Sequence, residues 1–382
     1  MKTYPLIFVI IIGLIVMVVR CVSQTDIAES DKDKQTAFPD DQKNLAQGLA
    51  PSLSEVYKNY FPIGAAVDTG SLYSQEYKDL LLRHFNSVTA ENEMKQNRLM
   101  NSVGEIYNFT QADIIVDFAL QNNIKVRGHT LIWHGSTPGW FFLDDDWREP
   151  LERERILKRM EDYIKTVVGH FKGKVYCWDV VNEAISRERF YRNNLWYKYI
   201  GKDYIEMAFR WAHEADPEAL LFYNDYHASA PSKRQKIYSL LKRLKKKGVP
   251  IHGVGIQAHW FLDWPDIIDV KRAIKSFSSL GLEVQITEMD ISFYHWVDRS
   301  RRYGQLTDKM ESRQARRYKA FFEVFRQYSD VITGVTLWGL YDGRTWRDSY
   351  PVRGRKDWPL LFNVDMEPKK AFWEIVNFRS QQ

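Results

Sequence analysis

Lys174-Val-Tyr-Cys-Trp-Asp-Val-Val-Asn-Glu183 is the stretch on which the fold turns. β-Branched and aromatic residues run through it almost without a break, with Gly173 just before it, which is the pattern of a buried β-strand. Asp179, Asn182 and Glu183 then place polar groups where an apolar strand would normally have none. A buried strand ending in an amide and a carboxylate has the layout of one strand of a parallel barrel, whose functional groups stand at the strands' C-terminal ends. Alone, Asn182-Glu183 would be read as the opening of the next loop. A second stretch, Glu283-Val-Gln-Ile-Thr-Glu288, ends the same way much later in the chain and weights the reading toward a site.

Working outward, strand-like and helix-like stretches alternate from Leu53 onward. Strands are expected at 62–67, 87–89, 125–132, 174–181, 220–224, 253–258, 283–287 and 334–338, from their short β-rich apolar runs. Helices are expected at 75–85, 112–121, 153–171, 204–214, 232–247, 270–280, 312–328 and 370–378, where apolar residues recur at helical spacing, as at Tyr163, Val167 and Phe171. Strand and helix in alternation predict an α/β fold, a (β/α)8 (TIM) barrel in a single catalytic domain. A doubly wound open sheet is the competitor. It calls for a Gly-rich phosphate turn after the first strand, and Gly64-Ala-Ala-Val-Asp-Thr-Gly70 lacks the spacing.

The strand ends carry a common theme. Glu91, Asn92 and Lys95 follow the second strand; His129, Trp133 and His134 lie at the end of the third; Asn182 and Glu183 close the fourth. Asn224, Asp225 and Tyr226 close the fifth, Gln257, His259 and Trp260 the sixth, Glu288 and Asp290 the seventh, and Trp338 and Trp346 the eighth. Each has an ordinary structural reading taken singly. Together they line one rim with hydrogen-bonding groups suited to sugar hydroxyls and indoles suited to sugar C–H faces. Two carboxylates at that rim are what hydrolysis of a glycosidic bond requires. Metal catalysis is the rival chemistry, with His129, His134 and His259 joined by Glu183 or Glu288. It lacks a His-x-His at the end of the first strand, so neither metal nor cofactor is expected.

The net charge of +5 over 382 residues is mild. Its densest basic run, Lys242 to Lys247, alternates with leucine on an amphipathic helix and reads as a solvated face, so no nucleic-acid partner is expected. Cys21 and Cys177 cannot make a disulfide framework, and Cys177 reads as a small buried residue. At the N-terminus, Lys2 precedes an apolar run from Leu6 to Val19 and then Arg20-Cys21. That run suits an export signal and falls short of a comfortable membrane span. The expected organisation is a signal peptide or lipoprotein signal over 1–23, a polar flexible linker over 24–48 and the barrel over 49–382. Cys21 stands where a lipidated cysteine would, although Arg20 departs from the small residue usual before one. The chain is expected outside the cytoplasm, secreted or as an outer-membrane or cell-surface lipoprotein with Cys21 as its membrane attachment, and as a monomer.

Trp178-Asp-Val-Val-Asn-Glu-Ala184 with Ile286-Thr-Glu-Met-Asp290 resembles the endo-1,4-β-xylanases of glycoside hydrolase family 10. So do Val88-Thr-Ala-Glu-Asn-Glu-Met-Lys95, Arg127-Gly-His-Thr-Leu-Ile-Trp-His134 and Tyr223-Asn-Asp-Tyr226, and the likeness runs from about Leu53 to Phe378. The resemblance implies a retaining hydrolase of xylan or xylo-oligosaccharides, with Glu183 as acid/base and Glu288 as nucleophile. By the same resemblance Asn182 bonds the 2-hydroxyl of the sugar being cleaved, and Gln257 and His259 hold the nucleophile and its sugar. Glu91, Asn92, Lys95, His129 and Trp133 bind on the glycone side; Trp338 and Trp346 wall the cleavage-site sugar; Tyr226 stacks on the aglycone side. An endo-β-1,4-glucanase or an exo-acting relative on the same barrel is the alternative, and a non-catalytic glycan-binding lipoprotein the alternative from another class.

The sequence departs from the family pattern at Trp133-His-Gly-Ser136, where Trp-His-Ser-Gln is usual, at Ala258, where serine is frequent, and at Met94-Lys-Gln-Asn97. The Phe293-Tyr-His-Trp296 stretch and the arginine-rich 341–358 loop also look atypical. Two expectations follow. Like-charge repulsion from Glu288 should hold Glu183 protonated. The strand end must also bend, because adjacent Asn182 and Glu183 would otherwise face opposite ways.

Overall fold

A computed structural model describes residues 50–100, 106–144 and 146–378; the signal and linker segments lie outside the described residues. Among the described residues nine strands form: β1 (Ile63–Val67), β2 (Ser87–Ala90), β3 (Lys125–Trp133), β4 (Val175–Asn182), β5 (Leu220–Asp225), β6 (Gly253–Ile256), β7 (His259–Phe261), β8 (Glu283–Ser292) and β9 (Ile332–Leu337). All pair in parallel. The order runs β6-β5-β4-β3-β2-β1-β9-β8, and a further β6–β8 pairing closes the ring. Short β7 pairs only with the far end of β8. This is the eight-stranded closed barrel with intervening helices that the sequence predicts.

Parallel strands covered on both faces are buried along their length, and β1, β2, β6 and all of β8 after Glu283 are buried residue by residue, polar side chains included. The helices turn one stripe inward. Helix Arg153–His170 buries Ile156, Met160, Tyr163, Ile164 and Val167, the i, i+4, i+7 pattern seen in the sequence. Gly173, at φ +74°, then makes the left-handed turn that carries the chain from this helix into β4, a turn a side chain would resist. In helix Pro231–Lys246, Lys242, Lys245 and Lys246 are exposed while Leu240, Leu241 and Leu244 are buried, which is the solvated basic face expected. Cys177 is buried, and burial pushes its thiol up to about 12.

The predicted strands and long helices are all present, with ends displaced by a few residues. β8 runs five residues past its expected end, to Ser292, and carries Glu288 and Asp290 within it. The expected sixth strand is interrupted at Ala258, which sits at φ +62° and divides β6 from β7. The short helices Leu53–Val56, Gln96–Leu99 and Leu195–Tyr199 were not expected, being too short to show a period.

Candidate active site

The C-terminal end of β4 is irregular, as the adjacency of Asn182 and Glu183 requires. Its register against β5 shifts between Asp179 and Val181, and Glu183 itself lies at φ +58°. A non-glycine residue there costs about 1 kcal/mol, which the surrounding hydrogen bonds must offset. Arg192 Nε donates to the Glu183 carbonyl at 2.9 Å, and Glu183 N donates to the Asn224 carbonyl at 2.9 Å. The bend turns both side chains to one side: Gln257 Nε2 donates to Asn182 Oδ1 at 3.1 Å and to Glu183 Oε1 at 3.2 Å.

Glu288 faces the same space from β8. Asn224 Nδ2 donates to its Oε1 at 2.7 Å, and His259 Nε2 lies 3.0 Å from its Oε2. The other imidazole nitrogen, Nδ1, is 3.0 Å from Asp290 Oδ2. An imidazole with a carboxylate at each nitrogen satisfies both only when both nitrogens carry protons. Accordingly, although burial acts to lower it, Asp290 and Glu288 push His259 up to about 9. Arg347, donating to Asp290 Oδ1 at 2.6 Å, and Trp346 Nε1, donating to Asp290 Oδ2 at 2.7 Å, fix the far end of the relay.

The two glutamates are driven in opposite directions. Burial raises Glu183 above its ordinary value, and Asp225 adds to it, against the pull of Gln257, Lys233 and Arg192. Burial would raise Glu288 as well, but the field of His129 and the hydrogen bond and charge of His259 hold it below the usual value. The expected cause of the Glu183 shift is thereby corrected: burial and Asp225 lead, not repulsion from Glu288. The physical reason is that Glu288 is already compensated by His259 and Asn224. Asp225 lies buried beneath, held by Lys233 Nζ at 2.6 Å and by Tyr223 Oη.

Of the other rim residues expected, Trp260 instead turns outward and is buried against Phe321, 4.1 Å between ring centroids, because its neighbour His259 takes the inward position. Those that follow gather around the glutamate pair. Lys95 Nζ donates to Asn92 Oδ1 at 3.0 Å and stands 5.1 Å from the Trp133 ring. Burial raises Glu91 above its usual value, while Lys95 opposes the shift. His129 sits edge-on to Trp338, 5.3 Å between ring centroids, and Trp338 lies 6.1 Å from His259, which in turn is 4.8 Å from Trp346. Tyr226 Oη accepts from Arg192 Nη2 at 2.6 Å. The departure at Gly135 has a local reason: a Cβ there would meet the Trp133 indole at 2.6 Å, so glycine lets the ring fold back on its own loop.

Among the described residues, His129, Asp179 and Glu288 bring three ligand-type atoms within 4.8 Å of one another. Asp179, however, is gripped by both terminal nitrogens of Arg127 and by His129 Nδ1 at 2.8 Å. With its oxygens taken by an arginine fork, it serves to orient His129. Arg127, Arg192 and Lys233 do not stand among the expected site residues, and Asn224 stands on the expected rim without the role it takes beside Glu288. Asn224 was visible at a strand end. Arg192 lies in an irregular segment, and Lys233 opens a basic helix yet is 2% exposed, so neither gave a periodic signal.

Residues 52–378 match the model of glycosyl hydrolase family 10. The chain is 51% identical over 339 residues to a β-1,4-xylanase of Dictyoglomus thermophilum, covering 88% of this chain and 94% of that one. It is 48% identical over 335 residues to an endo-1,4-β-xylanase of Geobacillus stearothermophilus, covering 86% and 98%. Among solved structures, the endo-1,4-β-xylanase of Caldicellulosiruptor owensensis superposes with a TM-score of 0.83 at 47% identity, over 86% of this chain and 100% of that one. A solved glutamate-to-alanine variant in complex with xylotriose superposes equally well, with a TM-score of 0.83 at 46% identity over 86% and 100%.

Proposed function

The chain belongs to glycosyl hydrolase family 10, and from that premise and its site we infer that it is an endo-1,4-β-xylanase acting with retention of anomeric configuration. The observation that carries the residue roles is the contrast between the two glutamates at one rim. Glu288 is held by Asn224 Nδ2 at 2.7 Å and His259 Nε2 at 3.0 Å and pushed below its usual value, whereas Glu183, held by Gln257 at 3.2 Å, is raised above it. Glu183 protonates the leaving oxygen, while Glu288, kept ionised by His259, attacks the anomeric carbon. Once the glycosyl–enzyme bond forms, Glu288 loses its charge, and Glu183, left ionised by its proton transfer, draws a proton from the incoming water. Asn182 bonds the 2-hydroxyl in this reading, which its hydrogen bond from Gln257 at 3.1 Å supports by holding the amide. Trp338 and Trp346 offer indole faces to the sugar between them, with Lys95, Asn92, Glu91, His129 and Trp133 toward the glycone and Tyr226 toward the aglycone.

The choice of xylan over glucan rests on the relatives. Purified xylan, cellulose and mixed-linkage glucan offered separately test it: fast release of short xylo-oligosaccharides from xylan is expected. Preferred cleavage of either glucan would favour the glucanase alternative, and no cleavage of any would favour a binding protein.

Asp225 gives a pH prediction. Its charge raises Glu183, and Glu183 must be protonated to act as acid, so it sets the basic limb of the pH–rate profile. Asp225→Asn removes that charge and keeps an acceptor for Lys233. The basic limb of kcat/KM is expected to move to lower pH, with the acid limb, set by Glu288, in place; a stationary basic limb would refute the coupling.

Export is part of this proposal. It is supported by the apolar run from Leu6 to Val19 and by a substrate that is a large extracellular polymer. Lipid attachment through Cys21 rests on the place of that cysteine directly after the run. A monomer suffices, since every group named above comes from one chain.

A further inference from the structure

Beyond Trp346, the loops after β8 and β9 extend the cleft outward into a surface that the hydrolytic steps leave unused. Trp346, one side of the cleft beside His259, stacks on Tyr350 at 5.8 Å with 18° between the rings. Trp296 leans on both, at 6.2 Å from Trp346 and 5.4 Å from Tyr350. An aromatic shelf therefore leads from the nucleophile's partner out to solvent, where Tyr350 is 53% exposed. At its edge stand Arg299, Arg301 and Arg353, all exposed. Arg299 Nη1 donates to the Trp296 carbonyl at 3.0 Å, and Arg301 Nη2 donates to the Arg353 carbonyl at 2.5 Å, tying the two loops together.

The neighbouring cations are already committed. Arg302 pairs with Asp298 at 2.9 Å, Lys356 with Asp348, and Arg347 is buried on Asp290. Arg299, Arg301 and Arg353 have no carboxylate partner among the described residues. Solvated surface charge would account for any one of them. Three guanidinium groups without a carboxylate partner among the described residues, on loops that form the outer edge of an aromatic platform contiguous with a polysaccharide cleft, fit a sugar that itself carries a carboxylate. Rings take its C–H face, and a guanidinium fork takes its anion.

We propose that this shelf binds uronic acid branches of xylan, making acidic, uronate-substituted xylan the preferred substrate over neutral xylan. The proposal rests on the xylanase reading above and adds a class of substrate to it. The pairing is exposed, so it must be modest and sensitive to salt.

The test compares kcat/KM on uronate-substituted xylan with kcat/KM on the same polymer after chemical reduction of its carboxyl groups, which keeps the branch and removes the charge. Low-salt wild-type enzyme is expected to favour the acidic polymer by about three- to tenfold, with the ratio collapsing toward one at about 1 M salt. The combined variant Arg299→Glu, Arg301→Glu, Arg353→Glu should lose the preference while cleaving the reduced polymer as before. Because Arg301 ties the loops, Arg353→Gln, whose backbone carbonyl still accepts from Arg301, is measured alongside and should lower the ratio in the same sense. Equal rates on the two polymers, or a ratio unmoved by both variants, would overturn the proposal. Failure of wild-type enzyme to cleave even the reduced polymer would overturn the xylanase reading and this proposal with it.

Discussion

Glu288→Gln is expected to lower turnover of xylan by about 10⁴-fold or more with the fold unchanged, the scale on which loss of an attacking group is felt. The substitution keeps the shape of the side chain and an acceptor oxygen for Asn224 Nδ2, now 2.7 Å away. What it removes is the charge. An amide is a poor nucleophile, and its nitrogen cannot accept the proton that His259 presents. His259 loses one of the two carboxylates that push it up to about 9, so its own affinity for protons should fall. Steady-state rates on xylan together with a thermal melt check the prediction. A loss of less than about tenfold with the fold intact would remove Glu288 from the role of nucleophile.

Glu183→Ala is expected to act selectively. On xylan the leaving group is a sugar hydroxyl that cannot depart without a proton, and loss of a general acid should cost about 10²- to 10⁴-fold. An aryl xylobioside with a strongly acidic phenol needs no such help, so formation of the glycosyl–enzyme should be slowed far less. The second step would still suffer, because the same carboxylate must draw a proton from water. The selectivity is read as the ratio of kcat/KM on xylo-oligosaccharide to kcat/KM on the activated aryl glycoside, which should fall by at least tenfold. Equal losses on both substrates would argue that Glu183 holds the site together and transfers no proton.

Much of this site is legible in the sequence. Lys174 to Val181 reads as a buried strand because parallel barrel strands are covered on both faces, and the polar break at Asn182-Glu183 marks where the cleft begins; the strand found runs from Val175 to Asn182. The bend followed from the two-residue period of a strand, since both neighbours must reach one sugar; the register shift and the φ of Glu183 supply it. The cause of the Glu183 shift was not legible. Asp225 ends β5, in a stretch that reads as sugar-binding, and only the fold buries it between Lys233, Tyr223 and the acid. Lys233 was hidden for a related reason. A lysine near the start of a basic helix looks solvated, and nothing local distinguishes Lys233, which turns inward, from cations such as Lys242 that stay in water. Arg192 lies in the aperiodic segment after β4, where it is held by long-range contacts such as its hydrogen bond to Tyr226 Oη, so its approach to Glu183 has no signature in one dimension.

The account turns on Glu288 forming a bond to the sugar while Glu183 governs the proton. The most direct measurement mixes the Glu183→Ala variant with an activated aryl xylobioside and weighs the intact protein, then its peptides, after rapid acid quenching. Fast first-step chemistry and a starved second step should leave a xylobiosyl group attached to the peptide that carries Glu288. An unmodified protein during turnover, or the sugar bound to any other residue, would contradict the account.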